Sequence, residues 1–170
     1  LGKNVMDKIE ELLKDPKTDL QKQALTDKSY KKTPNNQDCK INFELATYDD
    51  AILKCALCKI YFERENKDNF GFKGKLTEWK KQYESDEVLI KFIARHYDIL
   101  NFLNFDSGDT KKPQDYKYED KNAKRRYKYI ATAMEACIAA VYIENGENEV
   151  IEIVKKWIRW IDKETNSSDT

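Results

Sequence analysis

The chain has 170 residues, 40% of them hydrophobic and 36% charged, which suits one domain with its own core and a heavily charged surface. Its 31 basic and 31 acidic side chains cancel, so bulk charge does not draw it to nucleic acid, and any RNA contact requires a local basic patch. Only five glycines and three prolines are available to bound strands, which favours an all-α fold. No run approaches the roughly 20 apolar residues of a membrane span, and the start has no signal-peptide core, so we expect an intracellular, cytoplasmic protein with reduced thiols.

The first half of the chain has helical periodicity with one central helix. Segment 4–14 is amphipathic, and after a break at 15–19 a second short helix is predicted over 20–30. A polar loop follows at 31–38. From 41 to about 65, apolar residues cover most of the helix circumference, which predicts a central, largely buried helix.

The second half of the chain has more helices, separated by polar segments. The segments with helical periodicity are 75–85, 85–97, about 123–144 and 147–164. Ser85 is placed as an N-cap, and Gly146 as a left-handed cap that ends the third of these helices. We predict loops at 66–74 and, exposed and mobile, at about 104–122. The domain is therefore expected to span 1–164, with its core at about 5–160 and a disordered tail at 165–170.

The cysteines and the single histidine give little indication of a metal site or a catalytic residue. Cys55 and Cys58 form a CxxC pair, but no second pair completes a four-ligand zinc site, so core thiols are the preferred interpretation of the four cysteines. The lone histidine, His96, is interpreted as a packed or surface residue rather than a catalyst. The tryptophans fall at helical spacings and are expected in the core or in a subunit interface: Trp79, Trp157 and Trp160.

Four segments, in order, resemble the endonuclease domain of the ribonuclease III family. QALTDKSY (23–30) resembles Q-A-L-T-H-S-S-Y, with Asp27 in place of the usual His. NFELATYDDAIL (42–53) falls where the family has N-E-R-L-E-F-L-G-D-A-V-L. GKLTEWKKQYESDEVL (74–89) resembles G-E-L-T followed by S-x-E-x-L, and ATAMEACIAAVYIENG (within 130–146) resembles A-D-A-L-E-A-x-I-G-A-I-Y-L-D-G-G. The resemblance covers about 5–160.

The resemblance implies an all-α, ribonuclease III endonuclease-domain-like helical bundle that forms a homodimer and cuts double-stranded RNA with magnesium. Each subunit of the family offers four carboxylates, two placed four apart on the hallmark helix and two placed three apart on the late helix. Such spacings put each pair on one helix face. Hard carboxylate oxygens suit magnesium ions that activate water and stabilise the leaving oxygen.

Only two of these four carboxylates remain when the positions are carried over one at a time. Asp50 matches the hallmark Asp and Glu135 the late Glu, so these are the candidate catalytic residues and the candidate ligands of Mg²⁺ or Mn²⁺. The other two positions are degenerate, with Ala46 and Thr132 in place of acids. Asp49 stands where the motif has Gly. Because it lies about 100° round the helix from Asp50, we do not expect it to substitute.

Three functions compete on this basis. The first is a catalytically impaired member that binds double-stranded or structured RNA, or supports a ribonucleoprotein or an active relative as a heterodimer partner. The second is an active magnesium-dependent endoribonuclease with an altered site, and the third is a helical protein-interaction module without RNA. The candidate RNA-binding residues lie in a basic run with tyrosines: Lys124, Arg125, Arg126 and Lys128.

Overall fold

The computed structural model describes residues 6–32, 34–64, 73–105 and 127–167. Several sequence predictions fall outside these ranges: residues 66–72 of the loop predicted at 66–74, all but the first two residues of the loop at 104–122, and the end of the tail. The last two residues of the first of these loops, 73 and 74, are described and belong to a helix. The basic residues Lys124, Arg125 and Arg126 also lie outside the described residues.

The described residues are helical, and the predicted all-α class is confirmed. The α-helices are, in chain order, α1 (Lys8–Lys14), α2 (Asp19–Ala24), α3 (Phe43–Arg64), α4 (Lys73–Glu84), α5 (Asp86–Val88), α6 (Lys128–Asn145) and α7 (Glu147–Ser167). Helix α5 continues directly as a π-helix over Leu89–Ala94, and 3₁₀ turns occupy Lys28–Lys32, Pro34–Asn36 and Ile99–Asn101. Within the described ranges there is no strand, only an isolated bridge between Thr26 and Asn104.

Local capping explains where several helices begin and end. Asp7 caps α1 by accepting from the Glu10 amide at 2.9 Å, and the Thr18 hydroxyl accepts from the Gln21 amide at 3.1 Å to cap α2. Ser85 caps α5 as predicted, accepting from the Val88 amide at 3.3 Å. Gly146 ends α6 with a φ of +86°, which glycine adopts without the steric penalty of a Cβ.

Two predicted boundaries are wrong. The second helix ends at Ala24 instead of continuing to residue 30, because the Thr26 hydroxyl bonds back to the Lys22 carbonyl at 2.7 Å and the Asp27 amide donates to Asn104 across the fold. At the other end, α7 runs to Ser167, so the first three residues of the predicted disordered tail are helical. No Gly or Pro interrupts this stretch, and the Thr165 hydroxyl donates to the Ile161 carbonyl at 2.9 Å.

Helices α3 and α6 form the centre of the fold and make the most extensive contact between any two elements of the described structure. Small side chains on α6 permit this close approach: Ala131, Ala133, Ala136, Ala139 and Ala140 are all buried. On α3 the buried residues recur every three or four positions, and the opposite face is open to solvent. The predicted central helix is therefore confirmed, but it is buried on one side rather than all round.

Two polar arrangements tie the smaller elements to this centre. The Asn42 amide donates to the Thr26 carbonyl at 2.9 Å, and Asn104 pairs with both Leu25 and Asp27, so the start of α3 is fixed against the end of α2. At the far side, the buried Tyr97 hydroxyl donates to Asp7 at 2.8 Å and accepts from the Trp157 indole at 3.0 Å.

Candidate functional site

The two adjacent acids of α3 lie in different environments. Asp50 points outward, with its side chain 70% exposed, and forms an ion pair with Lys54 at 2.8 Å. Asp49 is only 1% exposed and belongs to the buried stripe of α3 that continues through Ile52, Leu53 and Ala56. The carboxylate turned into the protein is therefore the one at the motif's glycine position. Asp49 and Asp50 thus point in different directions, as their spacing on the helix requires, and the expectation that Asp49 does not substitute for a missing ligand stays a prediction.

Asp49 is an acid buried at the α3–α6 contact. Its Oδ1 atom has no hydrogen-bond partner among the described residues. Burial raises the pKa of Asp49 well above its usual range, and the charges of Glu135 and Asp50 add to the effect. The thiol of Cys137 is fully buried on α6. Its burial and the charge of Asp49 together raise its pKa to about 12.

Glu135 is partly buried on α6 and is surrounded by other acids. Burial and, to a smaller extent, the nearby charges of Asp86 and Asp50 together raise its pKa to about 7, against the opposing effect of Lys128. The structure thus brings the two candidate ligands, Asp50 and Glu135, within electrostatic range of each other on facing helices. Their carboxylates are not equivalent, because one is exposed and the other is largely desolvated.

At the two positions where the resemblance implies further acids, neither side chain offers a carboxylate. Ala46 lies on the buried stripe of α3 at 7% exposure and ends in a methyl group. The Thr132 hydroxyl donates to the carbonyl of Lys128 at 3.0 Å, so its proton is used within its own helix. Neither side chain carries charge, and neither replaces a carboxylate oxygen.

Asp86 is a residue of this region that the sequence interpretation placed only as a helix-start acid. It occupies the first turn of α5 and is partly buried, and its charge raises the pKa of Glu135 more than that of Asp50 does. Sequence alone gives no signal for this proximity, because residues 86 and 135 meet only through packing of α5 on α6. An acid in a first turn is ordinarily explained by the helix dipole.

The residues present do not fit the four-carboxylate metal site that the resemblance implies. Among the described residues, no group of three or more His, Cys, Asp or Glu side chains is arranged to hold a metal ion. Asp50 and Glu135 supply two hard oxygen ligands at most, and the positions of the other two carry a methyl and an engaged hydroxyl.

The other candidate residues have separate places in the fold. Lys128 is exposed at the first position of α6 and is the one candidate RNA-binding residue within the described ranges. His96 is exposed, and its ring stacks on Trp160 at 3.6 Å. The core-thiol interpretation is correct for Cys137 but wrong for Cys55, which is exposed because it lies on the outer face of α3. The described cysteines are all free.

Several large apolar side chains are exposed on the outer face of α3 and at the end of α6. Phe43 is 61% and Tyr48 is 55% exposed, and Ile143 at the end of α6 is 52% exposed. A cavity of about 260 Å³ opens beside Tyr48 and Cys55, with walls from α3, α6 and α7.

In the described part of the chain, no helix is long and apolar enough to cross a membrane.

Comparison with known proteins supports the family resemblance and the fold. Residues 17–160 match the family described as Ribonuclease-III-like. Ribonuclease 3 of Azotobacter vinelandii is 29% identical over 140 residues, which cover 82% of this chain and 52% of the relative. Ribonuclease 3 of Actinobacillus pleuropneumoniae is 26% identical over 125 residues, covering 74% and 50%. The chain spans about half the length of the curated relatives it matches.

Solved structures show the same fold. The nuclease domain of ribonuclease III from Campylobacter jejuni superposes with a TM-score of 0.61 at 25% identity, covering 96% of this chain and 97% of that one. A second structure of that nuclease domain, described for structural flexibility in a region involved in dimer formation, superposes with a TM-score of 0.61 at 24% identity and covers 94% and 97%. With the family match extending over most of the chain, this protein belongs to the ribonuclease-III-like family.

Proposed function

We propose that this domain binds double-stranded or structured RNA and that its catalysis is impaired. Membership in a family whose matched relatives are ribonucleases supports the RNA substrate class. The observation that carries the second part is the pair Ala46 and Thr132, where a buried methyl and an internally bonded hydroxyl stand at two of the four ligand positions. Asp50 and Glu135 are what remains of the site.

The competing candidate is an active endoribonuclease with an altered site. It is favoured by the survival of one carboxylate on each of the two facing helices, Asp50 on α3 and Glu135 on α6, since a single Mg²⁺ or Mn²⁺ retains much of its water. Two-metal chemistry needs more ligands than this pair supplies. We therefore favour the impaired member.

The test separates binding from cleavage. Purified protein is titrated onto long duplex RNA in EDTA at several salt concentrations, and the logarithm of the affinity is expected to fall linearly with the logarithm of salt. The same RNA is then incubated with magnesium or manganese beside Asp50→Ala and Glu135→Ala, and no cleavage is expected from any of the three. Cleavage by the wild type that both variants lose would establish the active enzyme instead. No salt-dependent binding would favour the protein-interaction module.

Restoring the missing acids provides a positive arm. The double variant Ala46→Glu, Thr132→Asp returns the four-carboxylate pattern and is expected to gain metal-dependent cleavage. Because Ala46 is buried, its melting temperature is measured alongside, and Thr132→Asp alone, at a partly exposed position, serves as the control. If the double variant folds but does not cleave RNA, more than the two ligands has been lost from the site.

We also propose that the exposed apolar side chains on the outer face of α3 form a homodimer contact. The exposed Phe43 and Tyr48 and the adjoining cavity support it, as does the dimer formation described for the Campylobacter jejuni domain. Sedimentation should show a dimer that Tyr48→Glu weakens, whereas Met6→Glu, at a 45% exposed residue of the N-terminal segment, should leave it intact. A monomeric wild type would point to a heterodimer with an active relative or to a ribonucleoprotein partner.

A further inference from the structure

Lysine is concentrated in the segment that leads from α2 to α3. Residues 22–40 contain five lysines and two aspartates, in a chain whose 31 basic and 31 acidic side chains cancel overall. One of the aspartates, Asp27, is 8% exposed and accepts from the Ser29 amide at 2.8 Å, so its charge is turned away from solvent. Four exposed lysines of this segment form no ion pair with the described residues, and we call them the lysine patch: Lys22, Lys28, Lys31 and Lys40.

Two members of the lysine patch, Lys22 and Lys40, lie on the wall of one cavity, although 18 residues separate them in the chain. The cavity has a volume of about 310 Å³, and its other walls are Asp19, Gln23, Thr26 and Cys39. Among these described residues, no ion pair joins Asp19 to either lysine. The fold therefore brings two uncompensated ammonium groups to the same concave surface.

The other two members of the patch lie on the adjoining 3₁₀ turn, Lys28–Lys32. Side chains three positions apart eclipse each other in a 3₁₀ helix, so Lys28 and Lys31 project from the same side of the turn. Only Asp27 separates the turn from Thr26, which lines the cavity, so the turn begins at the edge of that cavity. The lysine patch thus consists of two pairs of cations on neighbouring pieces of backbone.

Buried hydrogen bonds fix the backbone beneath the lysine patch. The side-chain amide of Gln23 donates to the Ile41 carbonyl at 3.0 Å, next to Lys40. The backbone amide of Asn42 donates to the Thr26 carbonyl at 2.9 Å. These bonds hold the end of α2 against the start of α3, so the patch is largely preorganised and little backbone freedom is lost when a ligand binds.

The chemistry of the lysine patch fits the phosphate backbone of RNA. Lysine binds phosphate as a point charge and carries no base-sequence information, which suits a duplex recognised by its shape and its backbone. Among the described residues, none of the large apolar side chains that are exposed falls within 22–40. Protein interfaces and membrane-inserted surfaces are usually built around such side chains, so both fit this surface less well.

We propose that the lysine patch contacts the phosphate backbone of bound duplex RNA. The inference rests on the proposed function and deepens it, because it locates an RNA-binding surface at the start of α3, the helix that carries Asp50. Asp50 lies seven residues after the first residue of α3. This spacing corresponds to about 10 Å along the helix axis.

The experiment measures how strongly salt weakens binding to long duplex RNA in EDTA. Each lysine that contacts a phosphate contributes about 1 to the slope of log affinity against log salt concentration. Lys22→Gln with Lys40→Gln should therefore reduce the slope by about 2, and the variant that also carries Lys28→Gln and Lys31→Gln should reduce it by about 4. Lys22→Arg with Lys40→Arg retains the charge and should retain the slope of the wild type.

Lys75→Gln with Lys81→Gln is the matched control, because it removes the same charge from two exposed lysines of α4. Its slope should equal that of the wild type, and melting temperatures measured in the same buffer verify that every variant is folded. A control that loses as much slope as Lys22→Gln with Lys40→Gln would overturn the proposal, since only net charge would then matter.

The remaining outcomes separate this inference from the proposed function. If the wild type binds duplex RNA and the fourfold variant keeps its slope, the lysine patch is not the contact, whereas the proposed RNA binding stands. If the wild type does not bind duplex RNA, both fail. Equally strong salt-dependent binding of the wild type to poly-glutamate would overturn the assignment to RNA and favour an acidic protein partner.

Discussion

Replacing Asp49 by Asn should change how stability depends on pH. The side chain is 1% exposed, its Oδ1 has no partner among the described residues, and the charges that act on it are those of Glu135 on α6 and Asp50 on its own helix. Burial raises the pKa of Asp49 well above its usual range. The folded protein therefore retains this proton at pH values where the unfolded chain, with an Asp pKa of about 3.9, has released it.

The sign and magnitude follow from proton linkage. Above the unfolded pKa, folding takes up one proton at Asp49, so the free energy of unfolding contributed by this residue falls as pH rises, by about 1.4 kcal/mol per pH unit, until the folded pKa is reached. Asp49→Asn has no proton to take up. The difference in stability, variant minus wild type, should therefore increase with that slope from about pH 4 and then level off at the folded pKa.

Urea unfolding followed by circular dichroism at half-unit pH steps in EDTA measures this difference. A fixed cost of the buried amide shifts the curve by the same amount at every pH and leaves the slope unchanged. Asp49→Ala, with a different fixed cost, should give a parallel curve. A difference that stays flat with pH for both variants would refute the reasoning, because it would mean that Asp49 is ionised in the folded protein.

Three further predictions concern the rest of the fold. Tyr97→Phe leaves the buried Trp157 indole without its acceptor and should lower the free energy of unfolding by about 1–3 kcal/mol. Urea titrations measure this loss, and a value below about 0.5 kcal/mol would mean that water replaces the hydroxyl. Ile138 is 0% exposed on α6, and Ile138→Ala should lower the free energy of unfolding by about 2–5 kcal/mol. Ile143 is 52% exposed on the same helix, and Ile143→Ala should change that free energy by only about 0.5 kcal/mol. Equal losses in the two variants would contradict the assigned burial. Although His96 is exposed, partial desolvation of its ring, which stacks on Trp160, and the charge of Lys156 lower its pKa, so its neutral form is favoured on folding. The wild type should therefore lose stability relative to His96→Gln as pH falls below about 6.5; thermal unfolding profiles that remain parallel across this range would contradict this.

The interpretation of the site depends on which face of α3 is turned toward the core. The 3–4 spacing of Leu45, Asp49, Ile52, Leu53 and Ala56 was available in the sequence and places Asp49 on the apolar stripe. Motif matching instead assigned significance to Asp50, one position further on. The two are compatible, since the resemblance places Asp50 at the position of a family ligand and Asp49 at the position where the motif has glycine.

Sequence periodicity and capping were sufficient to predict the helical class and the order of the helices, and the sequence places Ala46 and Thr132 at positions where the resemblance implies acids. Periodicity and capping residues are local properties, so they can be read along one chain. Helix packing was needed to show that Asp49 faces inward, that Cys55 faces solvent, and that Asp86 lies near Glu135. Periodicity gives the angle between two side chains on one helix, whereas the face that is buried is fixed by the helices packed against it.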